Sequence, residues 1–160
     1  MRIFGIAGWS GSGKTTLMVR LIPALRRLGV EVATIKHTHH EPTFGDAEAE
    51  ALAAVGAGEV LTASPRSFSL LHANEDGEPP LARLAAAMGG ADLLLVEGFK
   101  AGSHPRLEVW DPNLGKPMLA ETQREIVAIA CDHPAEGAAL PTFRRDDVDA
   151  IARFILSYCM

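Results

Sequence analysis

Two hydrophobic rhythms alternate along this chain. Residues 2–7, 30–35, 92–96 and 125–131 are short, nearly continuous apolar runs, the pattern of strands buried on both faces. Between them lie stretches with helical spacing. Residues 16–28 carry Leu17, Met18, Leu21, Ile22, Leu25 and Leu28 on one side, and Leu28-Gly29 marks the stop. Residues 46–55 predict a helix with Asp46 as N-cap and Ala51, Leu52 and Val55 inward. A short helix over 81–88 ends at Gly89-Gly90. The last helix covers 146–157 and turns Val148, Ile151, Phe154 and Ile155 inward. Short strands are expected at 59–62 and 66–71, the latter with Phe68 and Leu70 on one face. Residues 107–110 and 118–120 read as a hairpin around Asp111-Pro112-Asn113-Leu114-Gly115. Strand–helix alternation of this kind predicts an α/β fold, a mostly parallel sheet flanked by helices, with an antiparallel hairpin added.

Length and composition narrow the picture. The 160 residues suffice for one domain over 1–160, with no internal repeat and no dividing linker. No apolar run is long enough to span a bilayer, and no cleavage signal opens the chain, so the expected location is the cytoplasm. Cys131 and Cys159 do not make a disulfide framework, and Cys131 reads as a small core residue. A net charge of −5 argues against general nucleic-acid binding. A local basic pocket is still expected, since Lys14, Lys36 and Lys100 all fall at strand ends or turns.

The chemistry begins at Gly8-Trp9-Ser10-Gly11-Ser12-Gly13-Lys14-Thr15, which matches Gly-x4-Gly-Lys-[Ser/Thr] at every fixed position. A strand precedes it and an amphipathic helix follows. Glycines let the backbone curl until several N–H groups face one anion, and the helix start adds its positive end. Lys14 would reach the outer phosphates as a point charge, and the Thr15 hydroxyl would hold Mg²⁺. The fold class is therefore that of a P-loop NTPase.

Other candidates stand at strand ends, where open α/β sheets bind ligands. Glu97 closes the apolar run 93–96 and would hold Mg²⁺ through water or orient a nucleophilic water. Asp92, at the start of that run, reads as a cap or turn residue. Lys36-His37-Thr38-His39-His40 follows the second strand, where anion or substrate contact, transition-metal binding and a solvated loop all stand open. Residues 99–106 carry Lys100, His104 and Arg106 on a glycine-containing loop, a candidate lid or substrate loop. Asp132 lies where base contacts come from in such sheets, and a turn aspartate is the alternative. The GTPase signatures Asp-x-x-Gly and [Asn/Thr]-Lys-x-Asp are missing, so no motif reads guanine. Phosphate chemistry does not explain Trp9. Packing against a partner and covering the nucleotide are its two readings.

Taken together, the phosphate loop, Thr34-Ile35-Lys36-His37-Thr38-His39-His40, residues 92–100 ending in Val96-Glu97-Gly98-Phe99-Lys100, and His104-Pro105-Arg106-Leu107-Glu108-Val109 resemble the molybdopterin-guanine dinucleotide biosynthesis adaptor proteins. The likeness runs over nearly the whole chain. It implies a P-loop fold and a homodimer that binds GTP, hydrolyses it weakly, and assists the guanylyltransferase that joins GMP to molybdopterin. By position it assigns phosphates and Mg²⁺ to Gly11, Ser12, Gly13, Lys14, Thr15 and Thr16. Glu97 would complete the metal shell, and His37 and Lys100 would lie near the nucleotide or the pterin. Members commonly continue after the histidines with a Pro-Gly-Lys-Asp-Ser-like segment. Here residues 41–48 lack that lysine and serine, and Asp46 is the candidate for the acidic role. Two other functions fit a phosphate loop: a small-molecule kinase, and a nucleotide-dependent metallochaperone using His37, His39 and His40.

Overall fold

The computed structural model describes residues 1–38, 46–74, 77–99, 102–133 and 139–159. Five apolar runs and one short segment assemble into a six-stranded sheet. It comprises β1 (Arg2–Ala7), β2 (Val32–Lys36), β5 (Leu93–Glu97), β6 (Arg106–Val109), β7 (Ile126–Cys131) and β8 (Thr142–Arg144). Its order is β2-β5-β1-β6-β7-β8, and every pairing in it is parallel. Parallel strands need crossovers, which is why a helix or long loop intervenes between most of them.

Helices α1 (Lys14–Arg27) and α4 (Val148–Cys159) pack on one face. The periodicity explains this. Leu17, Met18, Leu21 and Leu25 of α1 and Ile151 and Ile155 of α4 are buried against Phe4, Ile6, Leu95, Leu107, Val109, Ala128 and Ala130. Each fully buried leucine of that set is worth about 1.5–3 kcal/mol. Val148 and Phe154 pack at the edge of the same cluster. β5 is buried at all five positions, as its unbroken apolar run predicts. Asp92 acts as a clasp at its start, with the Asp92 carboxylate accepting from Glu31 N–H at 2.9 Å and the Asp92 carbonyl from Arg2 N–H at 2.9 Å.

The chain divides into two compact units, residues 1–37 with 85–160, and residues 38–84. The second contains α2 (Ala47–Ala54) and the antiparallel pair β3 (Glu59–Ala63) and β4 (Phe68–His72); α3 (Leu81–Ala87) spans the division. Asp46 is the N-cap of α2 as expected, accepting from Ala49 N–H at 3.1 Å. The inward face predicted for α2 is not observed. Leu52 and Val55 are 54% and 84% exposed, and Ala49 is the buried residue.

The expected hairpin over 107–120 is also overturned. β6 lies inside the sheet, parallel to β1 and β7, and residues 112–114 and 119–121 are single 3₁₀ turns. The physical cause is Glu108. It is fully buried and accepts N–H bonds from Leu119 (2.8 Å) and Ala120 (2.9 Å). Among the described residues the antiparallel pair is β3–β4. Among the described residues no helix is long and apolar enough to cross a membrane.

Candidate functional site

The site lies in the first unit, at the carboxyl ends of β1, β5 and β7. β1 ends at Ala7, and Gly8 turns the chain at φ 142°. A Cβ there would sit 2.4 Å from the Val109 carbonyl oxygen and 2.6 Å from Ser12 Oγ, so only glycine lets the loop pass this close to β6. Gly11 and Gly13 take φ 81° and 92°. Ser12 N–H donates to the Trp9 carbonyl at 3.1 Å, which closes the loop. Lys14 Nζ folds back onto that same carbonyl at 2.9 Å. Gly13 is the N-cap of α1 and brings no side-chain cap, and the first turn carries no acid. A helix start so arranged favours an anion. The Ser12 hydroxyl is buried without a hydrogen-bond partner, an orphan of the kind a ligand satisfies.

The structure brings the second candidate to the first. Glu97, 9% exposed at the end of β5, accepts from the Thr15 hydroxyl at 3.0 Å. Parallel register sets this up. Glu97 pairs with Ile6 on one side and Lys36 on the other, so its side chain shares the α1 face of the sheet with Leu93 and Leu95. A hydroxyl beside a carboxylate is a hard oxygen pair that suits Mg²⁺, and Thr15 and Glu97 would hold that ion, which supplies charge neutralisation for phosphate. Thr16 follows, exposed on the first turn of α1.

His37 is held against the next segment of the Glu97 strand. Its N–H donates to the Glu97 carbonyl at 2.8 Å, and its ring lies 5.0 Å from that of Phe99. Gly98 between them has φ 98°, and a Cβ on it would come within 2.6 Å of His37 Cβ. Phe99 follows at φ 48°, the one non-glycine residue with positive φ among those described. The Glu-Gly-Phe sequence is thus the local geometry that seats His37 beside Glu97. His39, His40 and Lys100, with residues 41–45 of the departing segment, lie outside the described residues. Among the described residues no cluster of three His, Cys, Asp or Glu is placed for a metal ion.

His104 and Arg106 sit deeper than a mobile loop would place them. Gly5 N–H donates to the Pro105 carbonyl at 2.8 Å, and a Cβ on Gly5 would meet Arg106 Cγ at 2.7 Å and His104 Nε2 at 2.8 Å. Arg106 is 2% exposed and donates to Gln123 Oε1 at 3.1 Å and to the Gly102 carbonyl. Burial, with the Arg106 charge beside it, pushes the His104 pKa down.

Trp9 gains an account. Its Nε1 donates to the Pro117 carbonyl at 2.9 Å, and Lys116 Nζ stands 5.7 Å from its ring centroid. The loop indole therefore ties residues 116–117 to the phosphate loop. Asp132, at the end of β7, carries its carboxylate into both Nε (2.7 Å) and Nη2 of Arg145, and this hydrogen bonding holds its pKa down. Sequence reasoning missed Arg145 and Glu108. The adjacent Arg144-Arg145 pair was the available signal for the first, and nothing local marked the second.

The chain matches the model of the family described as molybdopterin guanine dinucleotide synthesis protein B over residues 3–132. It is 32% identical over 162 residues to the molybdopterin-guanine dinucleotide biosynthesis adapter protein of Escherichia coli (strain K12), covering 98% of this chain and 92% of that one. The adapter protein of Haemophilus influenzae (strain ATCC 51907 / DSM 11121 / KW20 / Rd) is 33% identical over 139 residues, 84% of this chain and 76% of that one. A crystal structure of a molybdopterin-guanine biosynthesis protein B superposes with a TM-score of 0.78 at 33% identity, over 98% of this chain and 99% of that one. Bacillus subtilis MobB superposes with a TM-score of 0.77 at 26% identity, over 100% and 99%. The phosphate loop on its strand and helix, the acid at the end of the neighbouring strand, and these likenesses agree, and the chain belongs to the molybdopterin guanine dinucleotide synthesis protein B family, with a P-loop NTPase-like fold.

Proposed function

We propose that this chain is a GTP-binding adapter that assists the transfer of GMP to molybdopterin. Membership of the family gives it its part in molybdopterin guanine dinucleotide biosynthesis. The nucleotide reading is carried by one observation, the orphaned Ser12 hydroxyl at the start of α1, with Lys14 folded onto the loop's Trp9 carbonyl and the Thr15–Glu97 pair beside it. Gly11, Ser12, Gly13, Lys14, Thr15 and Thr16 hold the phosphates; Thr15 and Glu97 hold Mg²⁺; His37 borders the site, and the base lies at the end of β7 beside Asp132, whose two oxygens are already paired with Arg145. Hydrolysis is slow on this reading. Among the described residues that line the cradle there is no glutamine to aim a water, and the nearby Arg145 is engaged by Asp132.

The partner is the guanylyltransferase, and the adapter works in the cytoplasm as a homodimer. Support for self-association comes from the small unit, where Leu61, Phe68 and Leu70 of the β3–β4 hairpin are 58%, 72% and 47% exposed. The deciding experiment adds the purified chain to a guanylyltransferase with molybdopterin and Mg·GTP. Faster appearance of the dinucleotide, lost with Lys14→Ala, is the expected result. A rate unchanged by the chain at any concentration contradicts the adapter role. Light scattering showing a monomer at all concentrations removes the homodimer.

A further inference from the structure

We propose that Arg145 is a positioning residue of the phosphate site: anchored on Asp132, it holds the Ser12 carbonyl outward and so turns the Gly13 N–H toward the bound phosphate. The inference rests on the nucleotide reading above. Arg145 directly follows β8, and its N–H donates to the Cys131 carbonyl at 3.1 Å, which sets it level with Asp132 just past the end of the neighbouring strand β7. Nε and Nη2 grip the two oxygens of the Asp132 carboxylate, a fork-to-fork pairing that fixes the guanidinium plane. The remaining nitrogen is thereby aimed. Nη1 donates to the Ser12 carbonyl at 2.9 Å and lies 3.8 Å from an Asp111 carboxylate oxygen.

A trans peptide is planar, with its C=O and N–H pointing opposite ways. A Ser12 carbonyl held toward Arg145 therefore sends the Gly13 N–H away from Arg145, the side on which the proposal puts the phosphate. Gly13 accepts the required φ of 92° because it has no Cβ. The bond matters because the alternative peptide orientation would present a carbonyl oxygen to a phosphate. Two carboxylates, Asp132 and Asp111, already surround the guanidinium, so its role is to brace the loop from outside rather than to bind the anion. The contact joins residues 133 apart in sequence, a link no local pattern shows.

The test uses the ¹⁵N-labelled full chain. Affinity for Mg·GTP, the Gly13 amide proton shift on adding GTP, and thermal stability are measured for wild type, Arg145→Ala and Arg145→Lys. Arg145→Ala is expected to weaken GTP about tenfold to a hundredfold, the scale of one charge-assisted hydrogen bond. It should also abolish the GTP-induced Gly13 shift in protein that is still folded. Arg145→Lys, which can still reach the Ser12 carbonyl, should recover part of both. Wild-type affinity and an unchanged Gly13 shift in Arg145→Ala overturn the proposal. So does a variant that melts earlier yet keeps the Gly13 shift, which is what a merely structural arginine predicts. Wild type that binds no nucleotide refutes the parent reading, and this one with it.

Discussion

Glu108→Ala removes a fully buried carboxylate from β6 and strands the two amides it accepts from, Leu119 at 2.8 Å and Ala120 at 2.9 Å. Each bond to a charged acceptor is worth about 1.5–3 kcal/mol. Against this stands the relief of a desolvated charge. Burial pushes the Glu108 pKa above its ordinary value, and the two N–H groups pull it only part of the way back. The net loss expected for alanine is about 2–4 kcal/mol. Glutamine keeps the shape and one acceptor, and should lose about 1–2 kcal/mol. At about 2–4 °C per kcal/mol for a chain of this size, alanine lowers Tm by about 4–16 °C. Urea and thermal unfolding followed by circular dichroism measure both. The pH dependence has a definite sign. A raised folded pKa means the native state takes up the proton before the unfolded chain does, so relative to Glu108→Gln the wild type gains stability as pH falls through the window above 4.5. An alanine variant within about 0.5 kcal/mol of wild type would refute the claim that Glu108 anchors residues 118–120.

Gly98→Ala forces a Cβ to 2.6 Å from His37 Cβ at φ 98°. Left-handed strain of about 1–2 kcal/mol and overpacking of about 1–3 kcal/mol should add, and a loss below about 1 kcal/mol in urea unfolding would show that the ends of β2 and β5 part easily. Asp132→Asn should be less stable than wild type at neutral pH. Because Arg145 holds the Asp132 pKa down, that difference should start to shrink as pH falls below the ordinary carboxylate value of about 4 and be lost only once the pH passes below the depressed folded value, and a gap that does not shrink at all on acidification contradicts the pairing. Thr15→Val, which deletes the hydroxyl donating to Glu97, should make GTP affinity insensitive to Mg²⁺ in a titration with and without chelator.

The parts of this protein legible in its sequence are those where one interaction dictates residue type at fixed spacing. The loop from Gly8 to Thr15 is of that kind, since the tight turn, the close passage beside β6 and the helix start each demand their residue. The apolar run of β5 is another, because both its faces are covered. Legibility failed where a residue answered to a distant partner. Glu108 between Leu107 and Val109 has the alternation of a half-exposed strand, and only the N–H groups supplied from 119–120 let it be buried. In α2, Leu52 and Val55 promised a core face, while an alanine-rich helix of eight residues gave little periodicity to test that promise. β8 has three residues, too few to show a rhythm, and so the arginine that follows it went unread. Trp9 was conspicuous in the loop, but its partners at Lys116 and Pro117 lie more than a hundred residues on.

The central claim is that the loop from Gly8 to Thr15 binds GTP through its phosphates and Mg²⁺. Calorimetric titration of the full chain with Mg·GTP and Mg·ATP, for wild type and Lys14→Ala, tests it most directly. Saturable GTP binding by wild type, weaker ATP binding, and loss of both in a Lys14→Ala protein that melts at the wild-type temperature are the expected results. Undiminished GTP affinity in Lys14→Ala, or no nucleotide binding by the wild type, would contradict it.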